Sequence, residues 1–115
     1  MIYYNNKKYI CLLDFAMDFI RGKWKALLLC HLYDGPIRFL ELQRIIKGIS
    51  QKVLNEKLKE LENDGLVSKI VYAEVPPKVE YYLTHKGKEI TKIIKELEDW
   101  SVKHYPDLEG CCDQD

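Results

Sequence analysis

Apolar residues recur along this chain at two spacings, and the change from one to the other divides it into elements. Asp14 to Ile20 reads as a short helical run, interrupted by Arg21-Gly22. From Lys23 to about Tyr33 apolar side chains fall almost all round a helix, with Trp24, Leu27, Leu28 and His31 on one face and Ala26, Leu29, Cys30 and Tyr33 on the other. A helix of that kind is expected at the centre, covered from both sides. Asp34-Gly35-Pro36 stops it. Arg38 to Ile46 carries Phe39, Leu42, Ile45 and Ile46 at helical spacing and closes at Lys47-Gly48. Ser50 then has the hydroxyl to cap a helix running to Asp64, and Gly65 is its matching stop. The spacing next shortens to two. Leu66 to Tyr72 and Val79 to Leu83, rich in Val, Ile and Tyr, read as strands joined by residues 73–78, and Pro76-Pro77 belongs at the hairpin tip because proline cannot continue a ladder. Thr84 is placed to cap a last helix, His85 to His104, with Ile90, Ile93, Ile94, Leu97 and Trp100 along one stripe. Met1 to Ile10, with tyrosines around Asn5-Asn6, is expected to form a short extended arm.

Two short helices joined by Gly48-Ile49 and followed at once by a hairpin have the order of a helix-turn-helix with a wing. The expected fold is α+β and mostly α: a winged helix-turn-helix with a two-stranded wing and a long C-terminal helix. The length fits one domain, divided here into an arm (1–10), the winged domain (11–105) and an acidic tail (106–115) expected to lack fixed structure. The apolar stripe of the last helix exceeds what so small a domain can bury alone, so Ile90, Ile93, Leu97 and Trp100 are expected at a homodimer interface.

Composition narrows the class of function. Hydrophobic residues at 47% and charged residues at 31% are the balance of a soluble globular chain. The longest apolar stretch, Ala26 to Cys30, falls far short of the roughly 20 residues of a membrane span, and no signal-peptide pattern opens the chain, so a cytoplasmic location without membrane contact is expected. The four cysteines, Cys11, Cys30, Cys111 and Cys112, lack the paired Cys/His spacing of a structural zinc site. With no glycine-rich phosphate loop and no paired catalytic carboxylates in evidence, neither an enzyme nor a cofactor or metal is expected.

Net charge is zero, yet the charge is segregated. Arg38 to Lys59 holds Arg38, Arg44, Lys47, Lys52, Lys57 and Lys59 against Glu41 and Glu56, whereas the tail after Pro106 holds Asp107, Glu109, Asp113 and Asp115 with no base. On the second helix of the motif, Leu54, Leu58 and Leu61 supply the core stripe. Gln51, Lys52, Asn55 and Glu56 lie elsewhere and form the candidate base-reading set, since Gln and Asn suit adenine and Lys suits guanine or phosphate. Arg38, Arg44, Lys47, Ser50 and Lys59 are candidate phosphate contacts, and Lys78 a candidate wing contact. Each has a plain structural counterpart: a solvated helix face, or a lysine that discourages edge pairing. The expected partners are double-stranded DNA and a second copy of the chain, with any small-molecule effector unknown; a winged-helix module that binds protein instead is the alternative.

The same residues form a recognisable string. Cys11 through Lys25 with Gly22-Lys23-Trp24-Lys25, Asp34-Gly35-Pro36 with Arg38-Phe39 and Glu41-Leu42, Gly48-Ile49-Ser50-Gln51-Lys52, Asp64-Gly65-Leu66-Val67, and Val75-Pro76-Pro77 with Leu83-Thr84 together resemble the HxlR family of bacterial, MarR-like winged-helix regulators. The resemblance covers about Cys11 to Trp100. It implies a dimeric transcription factor whose terminal helices build the interface and whose two recognition helices enter successive major grooves. It also implies that Cys11 stands where some relatives keep an oxidant- or electrophile-responsive cysteine, with Lys7 and Lys8 close by to favour thiolate; a small residue packing at a helix start is the other reading. The chain departs from the family pattern at Leu12, usually Pro; at Arg21, usually Gly; at Lys78, usually Arg; and at Glu56, often a neutral amide.

Overall fold

The computed structural model describes residues 1–108 and 110. Two antiparallel strands, β1 (Ile2–Tyr4) and β2 (Lys7–Tyr9), form a hairpin rather than the extended arm expected from the sequence. Asn5 and Asn6 turn it with φ of 48° and 64°, the left-handed region that Asn tolerates better than most residues. The hairpin delivers the chain to α1 (Leu12–Met17), and the Asp14 carboxylate accepts the Ile10 N–H at 3.0 Å. That contact starts the helix two residues earlier than expected, and Asp18 to Ile20 continue as a tighter turn with i to i−3 hydrogen bonds.

The central helix α2 (Trp24–Leu32) buries Leu28, Leu29, Cys30 and Leu32, as its all-round apolar pattern requires. Two residues after Pro36, Ile37–Arg38, form a short strand, β3, which leads directly into α3 (Phe39–Ile45). The chain turns through Gly48 at φ 88° and enters α4 (Gln51–Asn63), where the Ser50 hydroxyl accepts the Val53 N–H at 3.1 Å. Leu54, Leu58 and Leu61 of α4 join Leu42 of α3 and the α2 leucines in one core.

Helix α4 ends in a Schellman motif. Leu66 N–H reaches back to the Leu61 carbonyl and Gly65 N–H to the Glu62 carbonyl, both at 3.0 Å, with Gly65 at φ 74° and Leu61 and Leu66 buried together. Strands β4 (Val67–Tyr72) and β5 (Lys78–Leu83) pair antiparallel, with Tyr72 opposite Lys78 next to the loop. The wing hairpin is two-stranded, as expected, but β3 adds to it on the β5 side, Ile37 opposite Tyr81 and Arg38 opposite Glu80, so the sheet has three strands in the order β3-β5-β4.

The 20-residue helix α5 (His85–His104) is capped by Thr84, whose hydroxyl accepts the Gly87 N–H at 3.1 Å. The same hydroxyl donates to the Gly65 carbonyl at 2.6 Å, and Lys86 Nζ donates to the Asp64 carbonyl at 2.9 Å. The start of α5 therefore grips the end of α4. No helix among the described residues is long and apolar enough to cross a membrane.

Candidate nucleic-acid interface

The helix-turn-helix is α3, the turn at 46–50, and α4. Ile46 and Ile49 are buried in the turn and anchor it to the core, leaving Lys47 and Gly48 outside. Because the three α4 leucines occupy the core side, Gln51, Lys52, Asn55, Glu56 and Lys59 stand exposed on the others. Gln51 and Asn55 open onto a cleft of about 590 Å³ between the first half of α4, the start of α3 and the hairpin tip, which Arg38, Val75, Pro77 and Lys78 also line. Two of the four candidate readers, Gln51 and Asn55, one phosphate contact and the wing are thus brought to one groove, while Lys52 and Glu56 are exposed outside its lining. Phe39, Leu40 and Val75 also line it, and none of them was among the candidate contact residues.

The basic residues do not all present their charge alike. Arg38 is exposed where β3 meets α3, and Lys47, Lys52 and Lys59 are exposed with no ion pair among the described residues. Arg44 forms a two-point pair with Glu41, its Nε 3.0 Å from Oε2, and this bonding holds the Glu41 carboxyl below the usual range. A phosphate at Arg44 must compete with that carboxylate. Lys57 pairs with Glu60 at 3.3 Å. Lys78, expected in the hairpin loop as a wing contact, is instead the first residue of β5; its Nζ lies 4.6 Å from the centre of the Tyr72 ring and 3.8 Å from Glu80.

The far end of α4 is held from two sides. Lys25 of α2, its side chain only 12% exposed, reaches Glu60 at 3.3 Å and Asp64 at 4.0 Å, while Lys86 binds the Asp64 carbonyl. Two cations at a helix C-terminus also suit its dipole. Burial pushes the Glu60 carboxyl up, but the hydrogen bonds and charges of Lys57 and Lys25 outweigh it and leave the group below its ordinary value. Burial prevails at Asp64 and raises it, opposed by Lys25 and Lys86. The pose of the exposed α4 face is in this way fixed by the core helix and by α5.

The stripe expected on α5 divides in two. Ile94 is buried and Ile90 packs against the chain's own core, whereas Ile93, Leu97 and Trp100 are 60%, 60% and 56% exposed. Ile90 is partly buried, its contact with the chain's own core leaving less of it for a partner than Ile93, Leu97 and Trp100 offer. On α1, Leu12, Leu13 and Met17 are exposed as well, together with Ile10 before it.

Cys11 is exposed at the start of α1 and Cys30 is buried. The two lysines expected to support Cys11 are directed elsewhere. Lys7 Nζ lies 3.5 Å from Asp18, and Lys8 Nζ lies 6.0 Å from the centre of the Tyr3 ring. Asp18 also accepts the Tyr9 hydroxyl at 2.7 Å, a bond that pushes the Tyr9 phenol up to about 12. Among the described residues no group of three or more His, Cys, Asp or Glu is placed to hold a metal. Cys111, Cys112, Glu109, Asp113 and Asp115 lie outside the described residues.

Residues 19–109 match the HxlR-like helix-turn-helix family. An uncharacterized HTH-type transcriptional regulator of Methanothermobacter thermautotrophicus is 48% identical over 93 residues, spanning 81% of this chain and 71% of the relative. Among solved structures, the redox regulator HypR in its oxidized form is 44% identical with a TM-score of 0.76, over 81% of this chain and 96% of that one. The reduced form of the transcriptional regulator YodB from B. subtilis is 36% identical with a TM-score of 0.72, over 87% of this chain and 99% of that one.

Proposed function

This chain belongs to the HxlR-like helix-turn-helix family of transcription regulators, and we propose that it acts as a homodimer that reads double-stranded DNA in the major groove through the exposed face of α4. The observation that carries the reading is the meeting of Gln51, Asn55 and Arg38 with the wing around one groove, on a helix whose other side is locked into the core. Gln51, Lys52, Asn55 and Glu56 are assigned to base edges. Arg38, Lys47, Ser50 and Lys59 go to phosphate, with Arg44 joining them only where it exchanges Glu41 for the backbone. Selection of bound duplexes from a random-sequence pool tests the proposal. The recovered duplex is expected to bind at least ~1000-fold more tightly than a scrambled one, with affinity falling steeply as salt rises. Affinity no better than ~10 µM without salt dependence rejects it and favours a winged-helix module that binds protein.

Dimerisation is assigned to Ile93, Leu97 and Trp100 of α5, since three large apolar side chains more than half exposed on one helix are what a partner would cover. Replacing Leu97 and Trp100 together with Glu is expected to give a folded monomer at micromolar concentration by light scattering, with DNA affinity reduced. A dimer that survives both charges places the interface elsewhere.

Cys11 is assigned as a redox-responsive thiol. Its exposure at the start of α1 supports this, as does the similarity to HypR, which is described as a redox regulator. Cys11→Ser is expected to bind DNA as the wild type does under reducing conditions and to lose any response to diamide. If diamide affects both proteins alike, Cys11 is a packing residue.

A further inference from the structure

The wing does not have the character of a cationic finger. Between Ala73 and Glu80 it carries Glu74 and Glu80 against the single cation Lys78. That cation is committed: Lys78 Nζ lies over the Tyr72 ring and 3.8 Å from Glu80, and its side chain is 26% exposed. The Tyr72 hydroxyl donates to the same Glu80 carboxylate at 2.7 Å, so Tyr72, Lys78 and Glu80 close into one cluster across the Tyr72–Lys78 pair at the base of the loop. Beyond that cluster the most prominent side chain is apolar. Val75 is fully exposed, at 102%, and is followed by Pro76 and Pro77, whose rings fix φ and stiffen the loop that presents it. Val75, Pro76 and Pro77 line the same groove as Gln51 and Asn55, which ties the tip to the α4 reading face.

Resting on the DNA-binding reading above, we propose that the wing meets DNA through Val75, seated as an apolar tip in the minor groove beside the α4 site, and that Lys78 makes no phosphate contact of its own. A wing tip that carries Glu74 and Glu80 against one already paired cation gains little from the phosphate field. A stiff valine can displace water from the minor-groove floor and walls, where apolar side chains are inserted by other minor-groove binders and sense the deformability of the base steps. The minor groove distinguishes A·T from G·C by the guanine amino group on its floor. An apolar tip is therefore sensitive to that amino group without any hydrogen bond.

The test uses the full chain and the duplex recovered by selection from a random pool. Val75→Ser is expected to bind at least about 10-fold more weakly than wild type, the loss that uncovering one valine side chain produces. Its salt dependence should equal that of the wild type, because no phosphate contact is removed. Val75→Leu should bind within twofold of wild type. Lys78→Met, which keeps the packing on Tyr72 and removes the charge, should leave both affinity and salt slope in place. Replacing adenines beside the α4 site with 2,6-diaminopurine adds an amino group to the minor-groove floor alone. It should weaken the wild type and leave Val75→Ser unaffected. The proposal is overturned if Val75→Ser binds as the wild type does, or if Lys78→Met loses affinity and flattens the salt slope by about one ion. Equal loss from diaminopurine in both proteins overturns it too. If the wild type selects no duplex at all, the DNA-binding reading has failed; if it does and Val75→Ser is neutral, only the wing assignment has.

Discussion

Gly87→Ala is expected to destabilise the fold by about 3 kcal/mol or more, although alanine normally improves a helix. A Cβ on Gly87 falls 2.0 Å from the Leu66 carbonyl oxygen and 2.9 Å from its carbon. Those are backbone atoms and cannot swing aside. The same carbonyl accepts the Thr84 N–H at 3.0 Å, while Thr84 Oγ1 and Lys86 Nζ hold the Gly65 and Asp64 carbonyls. Relieving the clash by moving α5 outward would strain all three contacts, and with them the hold on the end of α4. At matched protein concentration, thermal unfolding should fall by more than ~10 °C. Lys88→Ala, on the exposed side of the same turn, should change it by at most a few degrees. A Gly87→Ala protein as stable as wild type would mean that α5 does not seat on the α4–β4 junction as described.

The second large effect is on binding. Lys52→Ala combined with Asn55→Ala is expected to lower affinity for the selected duplex about 100-fold or more, because a bidentate base contact and a cation are both lost. Both side chains are exposed and alanine suits a helix interior, so stability should stay within about 0.5 kcal/mol of wild type. A titration by fluorescence anisotropy reads the loss. Undiminished affinity would remove the α4 face from the reading site.

What could be read from the sequence was the chemistry that acts within one turn of the chain. Ser50 and Thr84 cap the helices expected of them, Gly65 ends α4 in the left-handed region, and α5 runs from His85 to His104 as its stripe predicted. Short pairings were harder to see. β3 is two residues long, too few to show a period, and is a strand only because β5 lies beside it. The N-terminal strands have three residues each, although Asn5-Asn6 was a turn signal that could have raised the hairpin over the arm. The α5 stripe covers too wide an arc for its spacing to tell Ile90, which packs against the core, from Ile93, which stands exposed.

Charge was legible as composition and less so as availability. The basic run from Arg38 to Lys59 is real, but Arg44 lies three residues from Glu41 and Lys57 three from Glu60, and both spacings make neighbours on a helix. Lys78 stands two residues from Glu80 on one face of a strand, which likewise foreshadowed their pairing. Arg38, Lys47, Lys52 and Lys59 are left exposed with no ion pair among the described residues. Only the folded chain brings Arg38, from the start of α3, to the same groove as Gln51 and Asn55 and the wing tip 37 residues beyond it in Val75.

The central claim is a two-fold reader with one α4 helix in each half of its site, and hydroxyl-radical footprinting of the full chain on the selected duplex tests it most directly. The predicted result is two protected half-sites related by two-fold symmetry, their centres about 34–36 Å, or a whole multiple of that, apart along the helix axis. A single asymmetric patch of protection, or none at concentrations where the chain is dimeric, would contradict it.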